Sequence, residues 1–177
     1  MPMKNIKFVW VTHYKKESLE NVKSVLAKFR PDLIGLELDK TRLSKLIKYK
    51  KRHKSGAFEG YSYAKAHNIP IAFMDNSHHE NFHKLLDSLG FFSYIRLFVL
   101  FSIKNLLRLL IGKRLRKLRV EDDLLVEKYL LKERDKHFVC QIKKISAENK
   151  GKRILFIFGR AHKKGILKGV MSTTNSR

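Results

Sequence analysis

Short apolar runs along this chain alternate with stretches whose apolar residues recur every three or four positions. Four runs, IKFVWVT (6–12), DLIGLEL (32–38), PIAFMD (70–75) and RILFIFG (153–159), are short, rich in β-branched or aromatic residues and bounded by polar or turn-forming residues. That is the pattern of strands. Between the first two, ESLENVKSVLAKF places Leu19, Val22, Leu26 and Phe29 on one helical face, and Pro31 stops the helix. Strands that are nearly continuously apolar and separated by helices predict an α/β fold, a mainly parallel sheet covered by helices on both faces.

The pattern changes after Asp75. From about 82 to 148 it is helical without strands, which predicts a helical insertion within one domain spanning 1–171, followed by a small polar tail at 172–177. The most apolar piece, LGFFSYIRLFVLFSIKNLLRLLIG (89–112), is interrupted by Arg96, Lys104 and Arg108, close to one helical face. It reads as an amphipathic helix that covers the sheet or lies in an anionic membrane interface. No uncharged run reaches the roughly 20 residues of a spanning helix. EDDLLVEKYLLKERDKHFVCQIKKI (121–145) continues as a helix with acids at its amino end, where the helix dipole favours them.

Composition adds a large positive charge to this picture. There are 39 Lys and Arg against 16 Asp and Glu, a formal net charge of +23 in 177 residues. The excess is blocked: KTRLSKLIKYKKRHK (40–54) holds no acid, and none lies between Asp87 and Glu121. Such blocks attract an anionic membrane surface or an acidic partner. The aromatics within them form no regular stacking pattern, so nucleic-acid binding would be charge-driven and non-specific. One cysteine, Cys140, excludes an internal disulfide and a multi-cysteine zinc site, and reads as a small core residue. The start, MPMKNIKFVWVTHYKKES, shows no secretory pattern, so a cytoplasmic protein, peripheral to the membrane if it binds one, is expected.

Candidate chemistry gathers at the ends of the four apolar runs. They close on His13, on Glu37 and Asp39, on Asp75, and on Gly159 just before His162. In open parallel sheets the ligand crevice lies at the carboxyl ends of the strands. Two imidazoles and one or two carboxylates there would hold a divalent metal, or would let an imidazole act as base or nucleophile beside an orienting carboxylate. Asp39, before Lys40-Thr41-Arg42, is equally a helix N-cap, and Glu37 interrupts an apolar run where a buried carboxylate needs a partner. His78, His79 and His83 lie outside the strand ends, lack the glutamate of a zinc-protease helix, and read as surface residues.

Taken in order, these segments resemble the TraB (pheromone-shutdown, PrgY-like) family. VTHYKKESLENVKSVLAKFRPDLIGLELDKTRL is similar to the family's opening, with a His-bearing strand end and an apolar strand closing on Glu-Leu-Asp with a nearby Arg. FEGYSYAKAHNIPIAFMDN resembles its next helix and strand, LLKERDKHFVCQIKKI its Glu-Arg-Asp helix, and GKRILFIFGRAHKKGI its closing strand and Gly-x-x-His motif. The likeness runs from about Ile6 to Val170. It implies an α/β fold shared with the Tiki-, GumN-, ChaN- and erythromycin-esterase-like proteins, and a hydrolase acting on a peptide or small ester. The implied site is His13, Glu37 and His162, helped by Asp39, Arg42, Asp75, the Glu133-Arg134 pair and Gly159. The implied metal ligands are His13, Glu37 and His162, for Mn, Co, Fe or Zn; the esterase branch works without a required metal. Two positions depart from the family pattern: Trp10 stands where it has Gly, and Asn76 where it often has Arg. A second expectation is a regulatory binding module that keeps the fold without the chemistry and docks by its basic face.

Overall fold

The computed structural model describes residues 5–12, 15–48, 55–75 and 121–172, together with helical positions at 95, 99 and 102; for 121–130 it describes the backbone only. His13, Asn76, the histidines at 78, 79 and 83, most of the 89–112 segment and the end of the polar tail lie outside the described residues. The chain divides into two compact units, 1–77 with 133–177, and 78–132.

The first unit is an α/β fold around a four-stranded, all-parallel sheet. Strand β1 (Ile6–Val11) leads through helix α1 (Lys16–Phe29) to β2 (Leu33–Leu36). Helices α2 (Lys40–Lys48) and α3 (Gly56–Ala66) precede β3 (Ile71–Phe73). A long helix, α4 (Glu121–Glu148), then leads to β4 (Ile154–Gly159), a 3-10 turn (Arg160–His162) and helix α5 (Lys163–Met171). The spatial order is β1-β4-β2-β3, so the last strand in sequence lies between the first two.

That order explains the composition of the strands. The central pair, LIGL of β2 and ILFIFG of β4, is buried at every position, whereas the edge strand β1 alternates and the edge strand β3 is half-buried throughout. The pleat sends alternate residues into two cores. Val9, Val11, Ile34, Leu36, Leu155 and Ile157 meet Val22 and Leu26 of α1, Leu43 of α2 and Ala57 and Ala64 of α3. On the other face Leu33, Ile154, Phe156 and Phe158 meet Phe138 and Ile142 of α4 and Ile166 of α5. Trp10 belongs to this second face, stacked on Phe8 at 5.7 Å and on Phe158 at 6.1 Å between ring centroids. Helix α1 buries Val22 and Leu26, as its spacing predicts, and closes with Arg30 in the left-handed region (φ 47°) ahead of Pro31. Cys140 is exposed, which corrects the core assignment from sequence: it lies two residues beyond the buried Phe138, about 200° around the helix.

Because all four strands run the same way, their carboxyl ends share one edge. Register fixes the levels there: Val11 pairs with Gly159, and Leu36 with both Ile157 and Phe73. Phe156, fully buried at the centre of the sheet, touches the same face as Phe8 and Phe158. Phe156→Ala is expected to lower the unfolding free energy by about 3–5 kcal/mol, whereas Lys144→Ala on an exposed position of α4 stays within about 0.5 kcal/mol. Urea denaturation at constant m-value checks both.

Candidate functional site

At the shared carboxyl edge the backbone leaves β2, β3 and β4 with an ionisable side chain turned inward. Glu37 follows β2 directly, and its N–H still donates to the Ile157 carbonyl at 3.1 Å, so the carboxylate starts from a position fixed by the sheet. Its Oε2 accepts from the Gly159 N–H at the end of β4. Glycine at 159 makes this approach possible: a Cβ there would stand 3.0 Å from that oxygen.

The other carboxylate oxygen carries the rest of the site. Glu37 Oε1 accepts from Arg134 Nη2 at 2.9 Å and lies 3.2 Å from His162 Nε2. Arg134, on α4, turns the remainder of its planar fork to Asp75 just past β3: Nη2 donates to Oδ2 at 2.7 Å and Nε to Oδ1 at 3.2 Å. Asp75 Oδ2 also accepts from Arg42 Nη1 at 2.9 Å. The Asp75 side chain is only 1% exposed, so two guanidiniums supply what water would otherwise give it. Asp39 caps α2, accepting from the Arg42 N–H at 2.8 Å, and stands 3.6 Å from Arg42 Nε. Asp39 is thus the N-cap expected of it, and through Arg42 it lies next to the Asp75 pair.

His162, in the 3-10 turn after β4, is 3% exposed and held at both ring nitrogens: Nδ1 lies 2.6 Å from Asp135 Oδ1. Phe138 meets the ring edge-on, 5.0 Å between centroids at 82°. The same phenylalanine lies beneath the Arg134 guanidinium at 5.4 Å.

This pairing drives the two central groups to opposite charges. Burial alone would raise Glu37, but the His162 hydrogen bond and charge, the Gly159 N–H and Arg134 outweigh it and lower its pKa to about 2. Burial alone would lower His162, but hydrogen bonds to Asp135 and Glu37, with the Glu37 charge, raise it to about 9 against the opposing charge of Arg134. Arg134 is likewise held upward, with Asp75 and Glu37 overcoming its burial. At neutral pH the centre is therefore a carboxylate beside an imidazolium.

Of the residues expected from sequence, Glu37, Asp39, Arg42, Asp75, Arg134, Gly159 and His162 come together through these contacts. Glu133 does not join them: it pairs with Lys136 at 2.6 Å on the exposed side of α4. Asp135, the last residue of the Glu-Arg-Asp motif but not among the expected site residues, joins them. The signal was its phase: Arg134 and Asp135 precede the buried Phe138 by four and three positions, so opposite charges continue an apolar stripe that also holds Ile142. His13 lies outside the described residues, two positions beyond the β1 end that pairs with Gly159. Among the described residues, no group of three or more His, Cys, Asp or Glu is placed to hold a metal ion. No helix among them is long and apolar enough to cross a membrane.

Linkage gives the pH behaviour of the cluster. His162, raised from 6.5 to about 9, contributes stability that is fully present below 6.5 and lost as pH rises through about 9. Glu37, lowered from 4.5 to about 2, contributes stability present above 4.5 and lost as pH falls through about 2. Chemical denaturation across pH should show a plateau between those limits, and His162→Gln should flatten the alkaline limb; an unchanged limb contradicts the pairing.

The chain matches no family model, no curated protein and no solved structure.

Proposed function

We propose that the chain is a TraB-like hydrolase that cleaves a peptide or small ester at the cluster of Glu37, Asp75, Arg134 and His162. The observation that carries this reading is the convergence itself. Residues just past β2, β3 and β4 and on α2 and α4, from Glu37 to His162, meet at the carboxyl edge of a parallel sheet through direct hydrogen bonds and ion pairs. Glu37, Asp39, Arg42, Asp75, Arg134 and His162 are among the residues that the resemblance implies for the site, with His13 and Glu133.

The protonation states assign roles to these residues. In a metal-free reaction His162, protonated through the neutral range, would pass the Nε2 proton to a leaving amine or alkoxide while water adds to the carbonyl and returns a proton to Nε2; with an ion on Nε2 it would be a ligand instead. Glu37 is too acidic to act as a base on its own; it holds His162 and the Gly159 N–H in place. Arg134 and Arg42 are aligned by Asp75, whose buried carboxylate anchors them rather than meeting substrate. Arg134 keeps its side chain 21% exposed and is the cation beside the reacting carbonyl.

A divalent ion fits part of this arrangement. Glu37 Oε1 and His162 Nε2 lie side by side, and Asp135 on Nδ1 is the outer carboxylate that metal-bound histidines commonly have. The third ligand implied by the resemblance is His13, and binding would require His162 to lose its proton. Such an ion, Mn, Co, Fe or Zn, would polarise a carbonyl and acidify a bound water.

One observation favours the second reading, a cytoplasmic module docked on an anionic membrane surface. Helix α2 exposes Lys40, Lys45 and Lys48 together with Ile47, which is 49% accessible. Peptide and ester panels, run with and without each metal, separate the two readings. The hydrolase reading expects turnover that falls by roughly 100-fold or more in Glu37→Gln and in His162→Gln, and any metal dependence should disappear with chelator. Full activity in both variants contradicts it. Absence of turnover, with co-sedimentation on anionic vesicles that weakens steeply with salt, selects the binding module.

A further inference from the structure

The roles assigned above use Asp135 only as the outer carboxylate of a metal-bound histidine, yet with or without an ion it makes the shortest contact to the His162 ring. Its Oδ1 lies 2.6 Å from Nδ1, while Nε2 of the same ring faces Glu37 at 3.2 Å. An imidazole that donates Nδ1–H to a carboxylate has only Nε2 left to give or take a proton, or to bind a ligand. The partner of Nδ1 therefore decides which nitrogen works.

The surroundings are shaped around this contact. Asp135 stands over α5 where Gly165 leaves room: a Cβ at 165 would run into the Asp135 carboxylate, with the Asp135 Cγ at 2.5 Å and its Cβ at 3.0 Å. Gly165 lies three residues after His162, so the turn that presents the imidazole also opens the space for its partner. Phe138, one helical turn beyond Asp135 on α4, closes the ring edge. Asp135 is thus fixed on a helix, seated against a glycine and aimed at one nitrogen of a buried ring.

We infer that Asp135 is a positioning residue for His162, setting the orientation and tautomer of the ring so that Nε2 faces Glu37 and the reacting group. Its catalytic consequence rests on the hydrolase reading; the ring geometry does not. Arg134, one position earlier, serves the opposite side of the cluster by holding Glu37 and Asp75. Two adjacent residues of one helix therefore fix the two partners of the site separately.

Proton NMR of the full-length, 15N-labelled chain tests this without requiring turnover. A short hydrogen bond from a buried imidazole to a carboxylate gives a far-downfield proton signal attached to Nδ1. That signal is expected in the wild type, absent in His162→Gln, displaced or lost in Asp135→Asn, and retained in Glu37→Gln. With a substrate in hand, Asp135→Asn should lower kcat by roughly 10²- to 10⁴-fold with little change in KM. A wild-type spectrum without the Nδ1 signal, which needs no variant to fold, overturns the inference. So does a signal unchanged in Asp135→Asn. If no substrate is turned over but the signal behaves as stated, the hydrolase reading fails and the positioning role stands.

Discussion

A charge taken out of water must be met by another, and at the carboxyl edge of this sheet Arg134 meets two. Its fork binds Glu37 and Asp75 together, joining the ends of β2 and β3 to helix α4, while Arg42 takes the remaining demand of Asp75. Removing one member of such a buried set costs about 3–5 kcal/mol, because the partner is left charged and unpaired. The apolar faces of β4 and α4 would hold these elements together without specifying where along α4 the contact falls. The guanidinium ties down one point on the helix, since from position 134 the fork reaches both carboxylates.

The same pairing decides what the site can do. Glu37 and His162 are neighbours whose pKa values are pushed to about 2 and about 9, so across the neutral range one is an anion and the other a cation. Groups driven apart in this way have their acid and base assignments fixed by environment rather than by residue type. The proton resides on the imidazole, and base chemistry there requires something that displaces it, whether alkaline pH or a cation shared with Glu37.

Much of this was legible in the sequence, for reasons that can be given residue by residue. The unbroken apolar runs of β2 and β4 announced buried parallel strands, and their burial at every position follows from central places in the sheet. Glu37 stood out because it broke such a run, and Asp39 because it immediately preceded a helix. The strand order was not legible, since fully buried parallel strands look alike whichever neighbour they have. The acidic and basic residues of α4 misled for a different reason. The resemblance drew the Glu133-Arg134 pair into the site and left Asp135 out, and only phase against Phe138 and Ile142 separates the inward Arg134 and Asp135 from the outward Glu133. Cys140 was misplaced by the same neglect of phase.

The most direct test of the account is a double-mutant cycle between Arg134 and Asp75, with Arg134→Met, Asp75→Asn and the double variant compared by denaturant unfolding. If the guanidinium holds the edge together, each single change destabilises strongly and the double change costs much less than their sum, with a coupling in the range of about 0.5–3 kcal/mol. Strictly additive losses would mean that the two side chains do not act on one another, and the site as described would not exist.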